Sequence, residues 1–546
     1  MEFDYVIVGA GSAGCVLAER LGRSGRARVL VLEAGGSDAR FWIKVPLGYG
    51  FTFTDPRVNW RYSAQPDAGL DSRVAYWPRG RVIGGSGSIN AMAYVRGLPH
   101  DFDDWERAGA TGWNWDSTRA VFEQIECHRE TGPDGRARVR GTGPMSVSDM
   151  AARMHPFSNR FLEAATDLDW PLTDDMNGST PEGLSRYRST VRNGIRCSPA
   201  DAFLRPALKR GNLRVVKHAL VERLLIADGR ATGVRYRVGD RVTTVRARGE
   251  VIVSAGSVNS PQLLQLSGIG PGDLLRSQGI EVVRDLGQVG RGLQDHLAIT
   301  HHFAASEPTL NNRLGHRPGQ FMAGLQYLLT RKGPMSVPVN QVGGFIRSGE
   351  ACAAPDMQVF CNPASYTIGA SGKPTMDRTP GFILSVQPCR PTSRGEIRIA
   401  SPDPREAPLI QPMSLSSDDD CAAAIRASRL LRSLAGTPTM RRVTRAARAP
   451  DISTMNDAEM LANFRAHSST VFHPSCTCRM GRDTSDSVLD ARLRVHGIRG
   501  LRVVDASSFP NITSGNINAP TMMLAMRAAE LILQDASSNT RHNREP

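Results

Sequence analysis

Three groups of residues in this 546-residue chain have the types and spacing to do chemistry. In "VFHPSCTCRMG", residues 471–481, His473 stands just before a Cys-x-Cys pair, Cys476 and Cys478. A structural zinc site takes four ligands; this motif offers at most three, and no second cysteine pair exists to complete it. A redox dithiol prefers Cys-x-x-Cys. The third reading is a histidine that exchanges a proton near neutral pH with a group held elsewhere in the chain. The second group is Gly9, Gly11 and Gly14, with Glu33 further on: a tight turn, a close backbone approach for a pyrophosphate, close helix–strand packing, and an acid for a ribose. The third is "PRGRVIGGSGSINAMAYVRG", residues 78–97, whose Gly84 to Ser88 core can make an anion-binding turn or lie flat against an aromatic cofactor. Its apolar flanks, Val82 and Ile83 before and Ile89, Ala91 and Met92 after, argue against a solvated loop.

Elements that would position these groups follow from periodicity. "DYVIVGAGSAG" predicts a buried strand from Tyr5 to Val8 entering the glycines, "SAGCVLAERLGRSG" a helix, and "ARVLVLEAG" a second buried strand ending at Glu33. This βαβ unit predicts dinucleotide binding, and the acid at 33 disfavours a 2'-phosphate, leaving NAD or FAD. "GEVIVSAGSVNSPQLLQLSGIG" (249–270) and "LRVVDASSFP" (501–510) read as later strands of the same parallel sheet. The interval 297–470 has no second glycine fingerprint and is long enough for a second domain. "APTMMLAMRAAELILQ" (519–534) predicts a closing amphipathic helix. The polar residues 537–546 are expected to fray.

Composition excludes several classes. Hydrophobic residues are 40% and charged residues 22%, ordinary for a globular enzyme. No apolar run approaches the ~20 residues of a membrane span. The net charge of +14 is spread along the chain, mostly as arginine and without a basic stripe, so no nucleic-acid partner is expected. The 9 cysteines form no framework and the N-terminus has no basic leader, so the expected location is cytoplasmic.

Taken together, "DYVIVGAGSAGCVLAERL", "PRGRVIGGSGSINAMAYVRG", "GEVIVSAGSVNSPQLLQLSGIG", "VGRGLQDHL", "HPSCTCRMG" and "VVDASSFPNITSGNINAPT" resemble, in order, the glucose-methanol-choline (GMC) oxidoreductases, among them choline dehydrogenase-like and FAD-dependent alcohol dehydrogenase members. The resemblance implies an α/β fold: a Rossmann-like FAD domain (1–160, 200–300 and 470–536) and a substrate-binding domain with a mostly antiparallel sheet and helices (161–199 and 301–469). It selects FAD over NAD. It implies that Gly9, Gly11, Gly14 and Glu33 hold the ADP half, that Val221 meets the adenine, and that Val82, Ser86 and Asn90 line the flavin or its ribityl chain. Asp505 and Ala506 would sit near the ribityl and pyrophosphate, and Asn518, Pro520 and Thr521 along the isoalloxazine. Ser12, Ala13, Ala34, Trp60, Arg81, Gly85, Ala91, Ala255 and Gly256 complete the implied cofactor set. No metal is implied.

His473 becomes the catalytic base by this resemblance and Asn518 the amide that orients the substrate oxygen. His296, in the "QDH" turn, is expected to be structural. The family's glycine before the threonine-cysteine is replaced here by Cys476. Some family members attach the flavin through a histidine in the "GGSGSIN" turn, where this chain has Ile89, so the FAD is expected to be noncovalent. The implied reaction oxidises a primary alcohol to an aldehyde, with oxygen or a quinone or other respiratory carrier as electron acceptor. Alternatives are choline dehydrogenase proper, using aromatics such as Trp60, Tyr62 or Tyr366, a hydroxynitrile lyase of the same family, and a non-catalytic FAD-binding protein.

Overall fold

The computed structural model describes residues 2–131, 136–368, 374–448 and 450–542. The chain opens on strand β1 (Glu2–Val8), helix α1 (Ser12–Leu21) and strand β2 (Val29–Glu33). Val6, Ile7 and Val31 have no exposed surface, as expected of parallel strands covered on both faces. Strands β3 (Leu213–Lys217), β4 (Leu220–Ala227), β5 (Arg230–Val238) and β6 (Arg241–Val253) complete most of a seven-stranded sheet in the order β3-β2-β1-β6-β5-β4, with Leu501–Val503 pairing to β6. β3, β2, β1, β6 and Leu501–Val503 pair in parallel, whereas β4, β5 and the first part of β6 form an antiparallel meander. The 13 residues of β6 let one strand serve both regions.

A second sheet, six-stranded, takes its strands from residues 297–470 and is antiparallel throughout. Its side chains alternate with the pleat. Val359, Cys361, Leu384 and Val386 face a core packed under helix Asp418–Ala435 through Ala424, Ala427 and Leu431. Phe360, Asn362, Ile383 and Ser385, between them in sequence, face a cavity. The expected boundaries at 160 and 300 fall inside elements. Helix Ser158–Thr166 packs Phe161 and Ala165 into the second core, and strand Leu297–Ala305 crosses position 300. The closing helix runs from Asn518 to His542, so the segment expected to fray from 537 continues as helix; residues 543–546 lie outside the described residues. No described helix is long and apolar enough to cross a membrane.

Candidate active site

A cavity of about 1200 Å³ runs from the C-terminal ends of β1 and β2 to the inner face of the second sheet. That exceeds a pocket for a single drug-sized ligand, roughly 300 to 1,000 Å³, and leaves room for a dinucleotide with a substrate beside it.

One end is made of backbone. Gly9 has φ +100, and a Cβ there would lie 2.4 Å from the Ser254 carbonyl oxygen. A Cβ at Gly14 would lie 2.0 Å from the Gly9 carbonyl oxygen, which is why the helix can begin so close to the strand. Helix α1 has no side-chain cap, so the first-turn N–H groups at Ser12 and Ala13, both on the cavity wall, are free of side-chain competition for an anion. Glu33 is buried and accepts from the N–H of Ala10 at 2.9 Å and of Gly35 at 2.7 Å. Burial raises its carboxyl to about 7 against the pull of those two donors and Arg81. Ala34, Val221, Ala255 and Gly256 also line this end.

The second glycine cluster is a buried 3-10 turn, Gly85–Ser88, seated against the first: a Cβ on Gly85 would come 2.7 Å from Gly11 Cα. Gly85, Ser86, Asn90 and Ala91 face the cavity with Trp60. Asn90 is held by the fully buried Arg196, which donates to its side-chain oxygen and its carbonyl, each at 2.7 Å. Asp505 caps the turn Ala506–Ser508 by accepting from Ser507 N–H at 2.8 Å, and it also accepts from Gly256 N–H at 2.9 Å and the Ser260 hydroxyl at 2.6 Å. It is both a cap and, with Ala506 and Thr521, part of the wall. The wall does not include Gly14, Arg81, Val82 or Pro520. Gly14 is packed beneath the turn, the Arg81 guanidinium lies 4.6 Å over the Trp60 ring, Val82 is buried in a bridge to Gly36, and Pro520 sits in the closing helix.

At the other end, side chains from distant segments converge. His473 Nδ1 lies 3.0 Å from His296 Nδ1, and His296 Nε2 lies 2.7 Å from the Cys389 carbonyl oxygen. A carbonyl only accepts, so His296 carries its proton on Nε2. Burial lowers His296 to about 4, so it is neutral and its Nδ1 is an acceptor. His473 therefore donates from Nδ1. Burial, then His296 and Arg79, hold His473 well below the usual imidazole range, so it too is neutral and its Nε2 keeps a lone pair. The amide of Asn516 donates to that Nε2 at 3.2 Å on the cavity wall. His296 thus sets the tautomer of His473.

Asp295 fixes both histidines by their backbones, accepting from His296 N–H at 3.0 Å and His473 N–H at 2.7 Å, and it accepts from the Thr470 hydroxyl. Burial raises its carboxyl to about 6, opposed by Thr470 and Arg79. Arg79 donates to the Phe472 carbonyl at 2.7 Å. Phe472 and Cys476 both have positive φ, 71 and 72, on either side of His473.

Asn518 lines the cavity, but its oxygen accepts from the Ser12 hydroxyl at 2.7 Å, so it serves the start of α1; the amide beside His473 belongs to Asn516. Asn518 is the first residue of the closing helix, whereas Asn516 belongs to the loop before it. The motif "SGNINAP" contains both asparagines, and only the backbone path decides which meets the histidine. Arg79 and Asp295 were not anticipated as site residues; the one usable signal was the acid next to His296 in "QDH". Cys476 does not face the cavity. Its thiol, pushed up to about 11 by burial, donates to Gln294 Oε1 at 3.2 Å.

Comparison with known proteins supplies the family. A family model described as GMC oxidoreductase matches residues 3–298, and a second of that description matches residues 391–525. The oxygen-dependent choline dehydrogenase of Vibrio vulnificus (strain YJ016) is 40% identical over 536 residues, covering 97% of this chain and 94% of that protein. The alcohol dehydrogenase [acceptor] of Pseudomonas putida is 38% identical over 557 residues, covering 100% and 99%. Among solved structures, pyridoxine 4-oxidase from Mesorbium loti superposes with a TM-score of 0.85 at 30% identity, over 96% of this chain and 98% of that one.

Proposed function

The chain belongs to the GMC oxidoreductase family and is an FAD-dependent oxidoreductase of alcohols; from that premise we propose that its substrate is an uncharged primary alcohol, oxidised to the aldehyde with His473 as base. Bound FAD supplies the two-electron acceptor that takes the hydride from the alcohol carbon. Gly9, Gly11 and the first turn of α1 receive the pyrophosphate, Glu33 the ribose, and Ser86 and Asn90 the flavin. The alcohol hydroxyl approaches His473 Nε2, whose lone pair is directed there by the Nδ1 contact to His296, and the proton moves to that nitrogen. The Asn516 amide, which donates to that lone pair, gives the lone pair up to the hydroxyl and turns its N–H to the substrate oxygen, orienting it. The FAD is held noncovalently, a reading supported by Ile89 in the turn and by the lack of cysteine among the described residues of the wall.

One observation carries the choice of an uncharged alcohol. Among the described residues, the charged ones of the wall are Glu33, Asp505, Arg73 and Arg79. Both wall carboxylates belong to the nucleotide end and are engaged by N–H and hydroxyl donors, so the charged side chains described on the wall of the other end are arginines; the carboxyl of Asp295 lies off the wall, taken up by the N–H groups of His296 and His473 and the Thr470 hydroxyl. A quaternary ammonium there would find aromatic faces such as Tyr76, Tyr366 and Phe472 but, among the described residues of that part of the wall, two guanidinium groups and no carboxylate. The relatives named choline dehydrogenase favour the choline reading, and the two are separated by an anaerobic measurement of flavin bleaching with choline and with its isostere carrying carbon in place of the quaternary nitrogen. The uncharged compound is expected to reduce the flavin faster at equal concentration; faster reduction by choline would reverse the assignment.

A further inference from the structure

Helix Arg317–Thr330 is apolar on two sides. Ala323 and Tyr327 face inward and are buried in a small core with Leu310 and Leu314. Phe321, Met322, Leu325, Leu328 and Leu329 fall on one arc of the opposite side at helical spacing and are exposed, Phe321 by 69% and Leu329 by 76%. An outward face of this kind needs an explanation that scattered surface hydrophobes do not.

The face is continuous with the mouth of the cavity. Gly324 and Leu328 of the helix are part of the cavity wall, together with Phe41, Trp42 and Phe51, which are themselves exposed. These aromatics pack on one another and on the helix: Trp42 and Phe51 have ring centroids 4.4 Å apart, and Phe41 meets Tyr327 edge-on at 6.5 Å. The cavity therefore opens through a rim of exposed aromatic and aliphatic side chains.

The charge around this rim is mostly positive. Residues 39–54 and 308–333 contain no aspartate or glutamate and carry Arg40, Lys44, Arg313, Arg317, Arg331 and Lys332; Lys44 is paired with Asp38 and Asp201 and Arg40 lies near Asp55, while Arg313, Arg317, Arg331 and Lys332, at the two ends of the helix, are exposed. An amphipathic surface with aromatic and leucine side chains on one side and exposed cations at both ends of the helix is complementary to an anionic lipid surface. A second copy of the chain would fit it poorly, because a twofold pairing of this face brings the exposed cations at the helix ends, Arg313, Arg317, Arg331 and Lys332, against each other.

We propose that helix Arg317–Thr330 and the adjoining segment 41–51 dock the enzyme on an anionic bilayer, with the cavity mouth turned toward the acyl layer. Exposed apolar side chains enter the interface, the flanking cations meet the headgroups, and a lipid-partitioned alcohol or electron acceptor reaches the cavity without crossing water.

The test uses the holoenzyme, sedimented with vesicles of phosphatidylcholine alone or mixed with phosphatidylglycerol, and reads flavin absorbance in the pellet. The wild type is expected to pellet with the mixed vesicles and to be released by salt. Binding should fall by roughly tenfold or more in F321S/L325S/L329S, which removes apolar contact, and in R317E/K332E, which reverses charge. Neither variant should alter flavin reduction by a water-soluble alcohol. R317E/K332E keeps the test decisive if the triple variant fails to fold. Wild-type protein that stays in the supernatant with mixed vesicles overturns the proposal, as does wild-type binding by R317E/K332E. A wild-type dimer, seen by light scattering and converted to monomer by the triple variant, would also overturn it by giving the face to a second copy.

Discussion

The two ends of the cavity are built by opposite means. At the nucleotide end, one stretch of about thirty residues makes most of the site, and its groups are backbone N–H donors exposed where glycine lets strand and helix meet. At the end proposed to be catalytic, His473, His296, Asp295, Asn516 and Arg79 come from far-separated segments and meet through side chains or one aimed carbonyl. The first end is a local consequence of sequence. The second depends on how loops on two sheets meet.

The largest expected break at the catalytic end is His473→Ala. Removing the base should slow anaerobic flavin reduction by about 10² to 10⁴, roughly 3 to 5 kcal/mol of barrier, while the flavin spectrum stays. Because His473 is held well below its usual range, the wild-type reduction rate should remain flat as pH falls through 6.5: the base is active when neutral, and it stays neutral there. Reduction of the His473→Ala flavin by alcohol at the wild-type rate, in stopped flow, would remove it from the chemistry.

At the nucleotide end the matching break is Gly14→Ala. The added Cβ would meet the Gly9 carbonyl at 2.0 Å, backbone against backbone, so the turn must open. Overpacking of this kind costs about 1 to 3 kcal/mol, and here it falls on the cofactor: the variant should purify with much less flavin and a lower Tm. Full flavin content would mean that the strand–helix junction is more pliant than its packing suggests.

This contrast explains what was legible. β1, α1, β2, the buried Gly85–Ser88 turn and the closing helix follow from periodicity and glycine spacing, because each is specified within a window shorter than the element's own reach. The antiparallel sheet is an expectation from family resemblance, since strands such as Met357–Asn362 are short and buried on both faces, so the polar Gln358 and Asn362 mark a buried face, with Asn362 on the cavity wall, and not the solvent face that alternation would suggest. His473 could be singled out by type and motif. Its amide partner could not, because Asn516 and Asn518 are two residues apart in a stretch that changes from loop to helix, and a two-residue step there redirects the side chain.

That ambiguity makes the third comparison. Asn516→Ala removes the donor at His473 Nε2 and should slow flavin reduction by about tenfold, the scale of one hydrogen bond near 1.5 kcal/mol. Asn518→Ala removes the acceptor of the Ser12 hydroxyl and should leave reduction nearly unchanged while weakening FAD retention. Reversed phenotypes would hand the orienting role back to Asn518.

The smallest expected effect lies between the two ends, at Cys476. Its φ of 72 falls in the left-handed region, where a side chain costs about 1 kcal/mol that glycine does not. The buried thiol returns part of that cost through its contact to Gln294 Oε1, which also accepts from the Ile512 N–H at 3.1 Å and so keeps a partner if the thiol is lost. Cys476→Ala removes the thiol and keeps the strain. Cys476→Gly removes both and adds unfolded-state entropy of about 0.5 to 1 kcal/mol. The two contributions nearly cancel, so Cys476→Gly should be at least as stable as Cys476→Ala and within about 1 kcal/mol of the wild type, with flavin reduction unchanged because the thiol does not face the cavity. The backbone of Cys476 donates to the Ala506 carbonyl at 3.0 Å, holding the His473 segment against the turn capped by Asp505, and neither substitution disturbs that bond. If thermal unfolding finds Cys476→Ala clearly more stable than Cys476→Gly, the left-handed backbone at Cys476, beside His473, carries no cost.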